Sequence, residues 1–138
     1  MEAKDRKFST LKIVVLIGGL FELLMGVVIL VAGDIVIEVS GGSPIPVFPL
    51  YWRTMGLLAI ALGSLQIHAS YNLERYTAIP IAASCVRLVL PVLTYMQMLD
   101  SPSMSGALIL STAFDFLLAI ITLILLYQLG LLKFRLKQ

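Results

Sequence analysis

The chain has 138 residues, of which 59% are hydrophobic and 13% charged, and its formal net charge is +2. Soluble domains average about 25% charged residues, whereas the mean hydropathy of this chain is +1.00. The composition argues against a water-soluble globule, and the small net charge gives no support to nucleic-acid binding.

Four segments are apolar over the length of about 20 residues that a helix needs to cross a bilayer. They cover residues 11–33, 48–69, 77–98 and 105–130. Short connections join them, and short connections make successive helices antiparallel. The sequence therefore predicts an all-α membrane protein. We expect residues 1–138 to form one domain of four transmembrane helices in an up-down-up-down bundle.

The first segment shares features with a signal peptide, namely a basic start, an apolar stretch and the small residues Val31-Ala32-Gly33. Its apolar stretch is longer than the usual ~7–15 residues and contains Glu22, so we expect it to be retained as a span. Residues 35–39 are apolar and mostly β-branched. They are predicted to lie at the outer interface or to extend the first helix, before a turn at residues 40–44.

Basic residues outside the spans predict the orientation of the protein. They lie before or at the very start of the first span, between the second and third, and after the fourth: Lys4, Arg6, Lys7, Lys12, Arg75, Lys133, Arg135 and Lys137. By the positive-inside rule, both termini are predicted to be cytoplasmic. Residues 34–47 and 99–104 are then outside. We expect the inner or plasma membrane of a bacterium or archaeon.

Each predicted span carries one ionisable residue at a position where hydrocarbon cannot solvate charge: Glu22, Arg53, Arg87 and Asp115. Four unpaired charges would cost about 10 kcal/mol on insertion scales, which is comparable to the total stability of a fold. The sequence therefore predicts that the charges pair. We expect Glu22 and Asp115 to share Arg87, with Arg53 reaching down from the outer side.

The helix faces that carry these charges are rich in small and polar residues, which let membrane helices approach closely. We predict that these faces point inward and form a polar site. Candidate lining residues are those on the charged faces and the aromatic residues of an outer mouth, namely Ser84, Thr94, Ser111, Thr112, Tyr51, Trp52 and Tyr95. Pro91 adds to the site, because it cannot donate a hydrogen bond to the carbonyl of Arg87.

Patterns that signal catalysis or a cofactor are missing from the sequence. There is no phosphate-binding glycine loop, HExxH or paired CxxC, and the chain has one cysteine and one histidine. We therefore expect no catalytic residue, no metal and no cofactor.

In several short motifs the chain resembles small four-helix integral membrane proteins of the broad DoxX-like kind. The similarity lies in Pro49-Leu50-Tyr51-Trp52-Arg53-Thr54-Met55-Gly56-Leu57-Leu58, in Gly63 and Leu73-Glu74-Arg75-Tyr76, and in Arg87 and Asp115. The resemblance implies a four-helix membrane fold and no settled activity. Some members are associated with quinone-linked sulfur oxidation as subunits of larger assemblies, but no residue here specifies quinone chemistry.

Three functions fit these features. The leading hypothesis is a small non-enzymatic membrane protein that packs against other membrane subunits or copies of itself, with the charged cluster fixing its fold. The second is a binding or transport protein, in which the cluster holds a lipid-like, amphiphilic or anionic ligand or relays protons. The third is an intramembrane enzyme acting on a lipid or isoprenoid, with Glu22 or Asp115 as acid or base.

Overall fold

The computed structural model describes residues 2–39, 49–100 and 106–132, and this part of the chain contains four α-helices and no strand. The helices are α1 (Glu2–Val39), α2 (Pro49–Tyr71), α3 (Ala78–Asp100) and α4 (Gly106–Gln128). The prediction of an all-helical chain is confirmed for these residues. The predicted turn at 40–44, and most of both predicted outer connections, lie outside the described residues.

Helix α1 continues beyond the first predicted span, as the apolar residues 35–39 suggested, and ends at Val39. It is interrupted at Ala32, whose backbone angles (φ −131°, ψ 32°) are not helical. The long apolar part of α1 therefore ends close to this break.

Helices α1 and α2 form the most extensive helix pair, and glycines bring their backbones together. Gly19 faces Gly63, and Gly26 faces Gly56. A Cβ atom on Gly63 would lie 2.6 Å from the carbonyl oxygen of Gly19, and one on Gly26 would lie 2.7 Å from that of Gly56. Side chains at these positions would force the two helices apart, so the glycines set their separation.

The apolar core is concentrated at one end of the bundle. Leu11, Val15, Leu73 and Leu126 are buried and pack together, which joins α1, the α2–α3 connection and α4. The α2–α3 connection is ordered by backbone hydrogen bonds, including Tyr76 N–H to the Asn72 carbonyl at 3.1 Å. This end of the bundle is closed by direct packing.

Helices α2 and α3 make the fewest contacts among neighbouring helices. Helices α3 and α4 pack more closely, and the rings of Phe21 and Phe114 connect α1 to α4 edge to face at 4.9 Å. The four helices thus surround a central space that is closed least well between α2 and α3.

Two helices are long and apolar enough to cross a membrane, over Lys4–Gly33 and Ile109–Gln128. Helix α3 has a shorter described apolar stretch, Ala78–Leu93. Only 22% of the most apolar window of each long helix is buried inside the molecule, so most of their apolar residues lie on its surface. The core helix of a soluble protein would instead be mostly buried.

Candidate functional site

Arg87 on α3 forms ion pairs with carboxylates from two other helices. Its Nη2 lies 2.9 Å from Oε2 of Glu22 on α1, and its Nε lies 3.3 Å from Oδ1 of Asp115 on α4. The pairing predicted from the sequence, with both acids sharing Arg87, is confirmed. The shared guanidinium offsets part of the cost of placing charge among apolar side chains.

Two further groups complete the cluster. Arg87 Nη2 also donates to the Gly18 carbonyl oxygen at 2.9 Å, and the Gln66 side-chain amide donates to Glu22 Oε2. A Cβ atom on residue 18 would lie 2.7 Å from Arg87 Nη1, so glycine leaves room for the guanidinium. Since Gln66 belongs to α2, the polar cluster connects all four helices.

A cavity of about 400 Å³ lies beside the cluster and is lined by residues of all four helices. Helix α2 contributes the apolar side chains of Met55, Leu58, Ala59 and Leu62. Leu58 is 57% exposed, and Leu90 on α3, which also lines the cavity, is 37% exposed. The cavity is therefore open on the side of α2 and α3, which are the neighbouring helices that contact each other least.

Polar groups occupy only part of this apolar cavity. Among its described lining residues the polar ones are Glu22, Arg87, Ser111 and Asp115. The side chain of Arg87 is 5% exposed, whereas those of Glu22 and Asp115 are 17% and 18% exposed. The carboxylates thus present more surface than the guanidinium between them. Such a cavity can hold an apolar body with a polar group placed against the carboxylates.

The other sequence-predicted residues are distributed differently. Arg53 is exposed, does not line the cavity and forms no ion pair with a described side chain. Tyr95 is 63% exposed and also lies away from the cavity lining. The side chains of Tyr51, Trp52 and Thr94 lie outside the described part of the molecule.

The predicted serine and threonine residues lie close to the cluster in sequence, and one lines the cavity. Ser111 is a lining residue, one helical turn before Asp115. Thr112 is half-buried on the same helix. Ser84, one turn before Arg87, is 1% exposed, and its Oγ has no hydrogen-bond partner in the described structure. It does not line the cavity, so its position supports packing around Arg87 rather than ligand contact.

Sequence analysis did not place Gln66 or Gly18 in the site. Gln66 is a single amide on the face of α2 that carries Gly63, three residues earlier. Gly18 lies one turn before Glu22. For Gly18 the available signal was a small residue one turn from a charge within an apolar segment, and for Gln66 it was a lone amide on the glycine-bearing face of α2. The sequence could not show which helix either residue would face.

Chemically, the cluster offers hydrogen-bond acceptors and negative charge in an apolar surrounding. Among the described residues, no group of three or more His, Cys, Asp or Glu side chains is placed to hold a metal ion. Among the described lining residues, Ser111 is the one serine, cysteine or lysine, and it lies one helical turn before Asp115.

Comparison with protein-family models, curated proteins and solved structures finds no match to this chain. Membership of the DoxX-like group therefore stays a prediction based on the short motifs around Arg53, Arg87 and Asp115.

Proposed function

We propose that this protein is a non-enzymatic, four-span membrane protein that binds an amphiphilic molecule in the cavity beside Glu22, Arg87 and Asp115. The apolar part of the ligand lies against α2 and α3, and its polar end contacts the charged cluster. The ligand enters from the bilayer through the open side between α2 and α3.

The membrane assignment is supported by apolar residues on the outside of the bundle. Large side chains of every helix are exposed, among them Val31 (80%), Leu57 (56%), Val92 (58%) and Leu110 (73%). In water these surfaces would be costly to leave uncovered, whereas lipid chains cover them without cost. The described lengths of α2 and α3, 23 residues each, match the span of a bilayer.

Orientation is supported by the position of the basic residues relative to the closed end of the bundle. Lys12 follows the core residue Leu11, and Arg75 lies two residues after Leu73. Both therefore belong to the end closed by direct packing, which becomes the cytoplasmic end by the positive-inside rule. The cavity then opens in the outer half of the membrane.

The single observation that carries the binding proposal is a cavity of about 400 Å³ with a charged cluster at one side and apolar side chains around the rest. Small-molecule sites in proteins have volumes of about 300–1,000 Å³ and combine apolar walls with a few polar groups. Buried ion pairs alone contribute little net stability compared with apolar packing. A purely structural role of the cluster would therefore not explain why the space beside it is left unfilled.

Native mass spectrometry of protein extracted gently from its own membrane tests this proposal. We expect the wild type to retain a defined small mass. Ala59 lines the cavity, so Ala59→Phe should fill part of it and abolish retention, whereas Ala61→Phe on the exposed face of the same helix should leave retention unchanged. Equal retention by both variants, or a wild type without any bound mass, would contradict the proposal.

The subunit role expected from the sequence stays a prediction, and the same spectra test it. Reproducible co-purification with particular membrane proteins, or a homo-oligomer, would support packing against partners. The binding proposal requires no partner, because the cavity is formed by the four helices of one chain.

A further inference from the structure

We infer that the polar end of the ligand is cationic or a strong hydrogen-bond donor, such as an ammonium group, and that anionic amphiphiles are disfavoured. This inference rests on the proposed binding function and specifies the class of ligand. It differs from the anionic ligand considered from the sequence, where two arginines were expected at the site.

Formal charge is the first reason. The cluster holds two carboxylates, Glu22 and Asp115, and one guanidinium, Arg87, so its formal charge is −1. Arg53, the second arginine expected here, does not line the cavity. Gln66 is neutral and donates to Glu22. Among the described residues, no lining cation balances the second carboxylate, so a cationic head group complements the site.

Access is the second reason. The Arg87 side chain is 5% exposed, and the two carboxylates are 17% and 18% exposed. A head group therefore has more access to the two acidic side chains than to the arginine side chain between them. Negative charge close to two carboxylates in a medium of low dielectric is strongly unfavourable.

Hydrogen bonding is the third reason. Nη2 of Arg87 donates to both Glu22 and the Gly18 carbonyl oxygen, and Nε faces Asp115 at 3.3 Å. These contacts already engage Nη2 and Nε, which leaves fewer of the five N–H donors of Arg87 for an anionic head group. A donor head group can instead use the remaining lone pairs of the carboxylates, because each carboxylate oxygen can accept more than one hydrogen bond.

The test compares single-chain amphiphiles that differ only in head group. Radiolabelled dodecyltrimethylammonium is bound to the intact protein in uncharged maltoside micelles, and unlabelled dodecyltrimethylammonium, dodecanol and dodecyl sulfate compete for the site. We expect saturable binding of the cation, with the neutral and anionic competitors at least about tenfold weaker. Dodecanol should still compete at high concentration, because the apolar walls recognise the chain.

Two variants locate the preference. Asp115→Asn preserves the shape of the side chain and makes the formal charge of the cluster zero. The preference for the cation over the other amphiphiles should therefore fall by about tenfold. Glu74→Gln makes the same change of charge on an exposed residue of the α2–α3 connection and should have no effect. Dodecanol competition in each variant reports whether the cavity is intact.

The outcomes separate this inference from the proposed function. Equal competition by all three head groups, or tighter binding of dodecyl sulfate, would overturn the cationic preference while leaving a cavity that binds amphiphiles. Failure of all three amphiphiles, each labelled in turn, to bind saturably would overturn the proposed function itself. A cation preference that survives in Asp115→Asn would also overturn the inference, because the charge of the cluster would not then be its source.

Discussion

The Arg87 guanidinium holds α3 against α1 and α4 through contacts with Glu22, the Gly18 carbonyl and Asp115. The charges and their pairing were predictable from the sequence, because unpaired charge in hydrocarbon is costly. The position of Arg53 outside the cavity lining was not, since depth along a span does not show whether the side chain points inward. Gln66 was not placed in the site, because a single amide in a sequence does not specify its hydrogen-bonding partner.

At the residue scale, Arg87→Met should be the most damaging single substitution of the cluster. It leaves Glu22 and Asp115 without their shared cation, and breaking a buried pair by removing one partner costs about 3–5 kcal/mol. The free energy of unfolding in mixed micelles, followed by far-ultraviolet circular dichroism, measures the loss.

The matched control for this substitution is Arg53→Met, which removes an arginine that is exposed and lies outside the cavity lining. We expect its effect to be within about 0.5 kcal/mol, as for most surface substitutions. Equal losses in the two variants would show that the Arg87 ion pairs have no special role in stability.

At the scale of helices, glycines determine how α1 and α2 pack. The sequence indicated that faces rich in small residues point inward. It also contains the same seven-residue spacing in both helices, Gly19 to Gly26 and Gly56 to Gly63. The pairing of Gly19 with Gly63 and of Gly26 with Gly56 follows from that spacing in antiparallel helices. It was not predicted, because neither the helix rotation nor the register can be read from one sequence.

Gly63→Leu should separate α1 from α2, since even a Cβ atom at this position would lie 2.6 Å from the Gly19 carbonyl oxygen and from the Leu23 backbone nitrogen. We expect a loss of at least about 1–3 kcal/mol in the free energy of unfolding, which is typical of overpacking. Ala61→Leu, on the exposed face of the same helix, is the control and should be nearly neutral. The glycine pairing would be contradicted if the two leucine variants unfolded at the same denaturant concentration.

At the scale of the whole molecule, the bundle is packed directly at one end and open beside the cavity. An antiparallel bundle was predictable from short connections and four apolar segments. The cavity was not predictable, because it depends on the distance between α2 and α3. Side-chain packing between the helices sets this distance, and the hydropathy pattern does not determine that packing.

The proposed four-span topology predicts where reporter fusions are active. A cytoplasmic reporter joined after Glu74 or Gln138 should be active, and an extracytoplasmic reporter should be active after Ser43 and Pro102. This pattern follows from the basic residues beside the first, second and fourth spans. A protein that crosses the membrane only through α1 and α4 would place Ser43, Glu74 and Pro102 on the same outer side. Extracytoplasmic reporter activity at all three positions would therefore contradict the topology.

The most direct measurement is a crystal structure of the wild-type protein purified from its own membrane without removal of bound lipid. We predict elongated density in the cavity, with one end within hydrogen-bonding distance of Glu22 or Asp115 and the other along Leu58 and Leu62. The contrary result is a bundle in which α2 and α3 pack directly against each other, the cavity is filled by their side chains, and the charged cluster is sealed from any ligand.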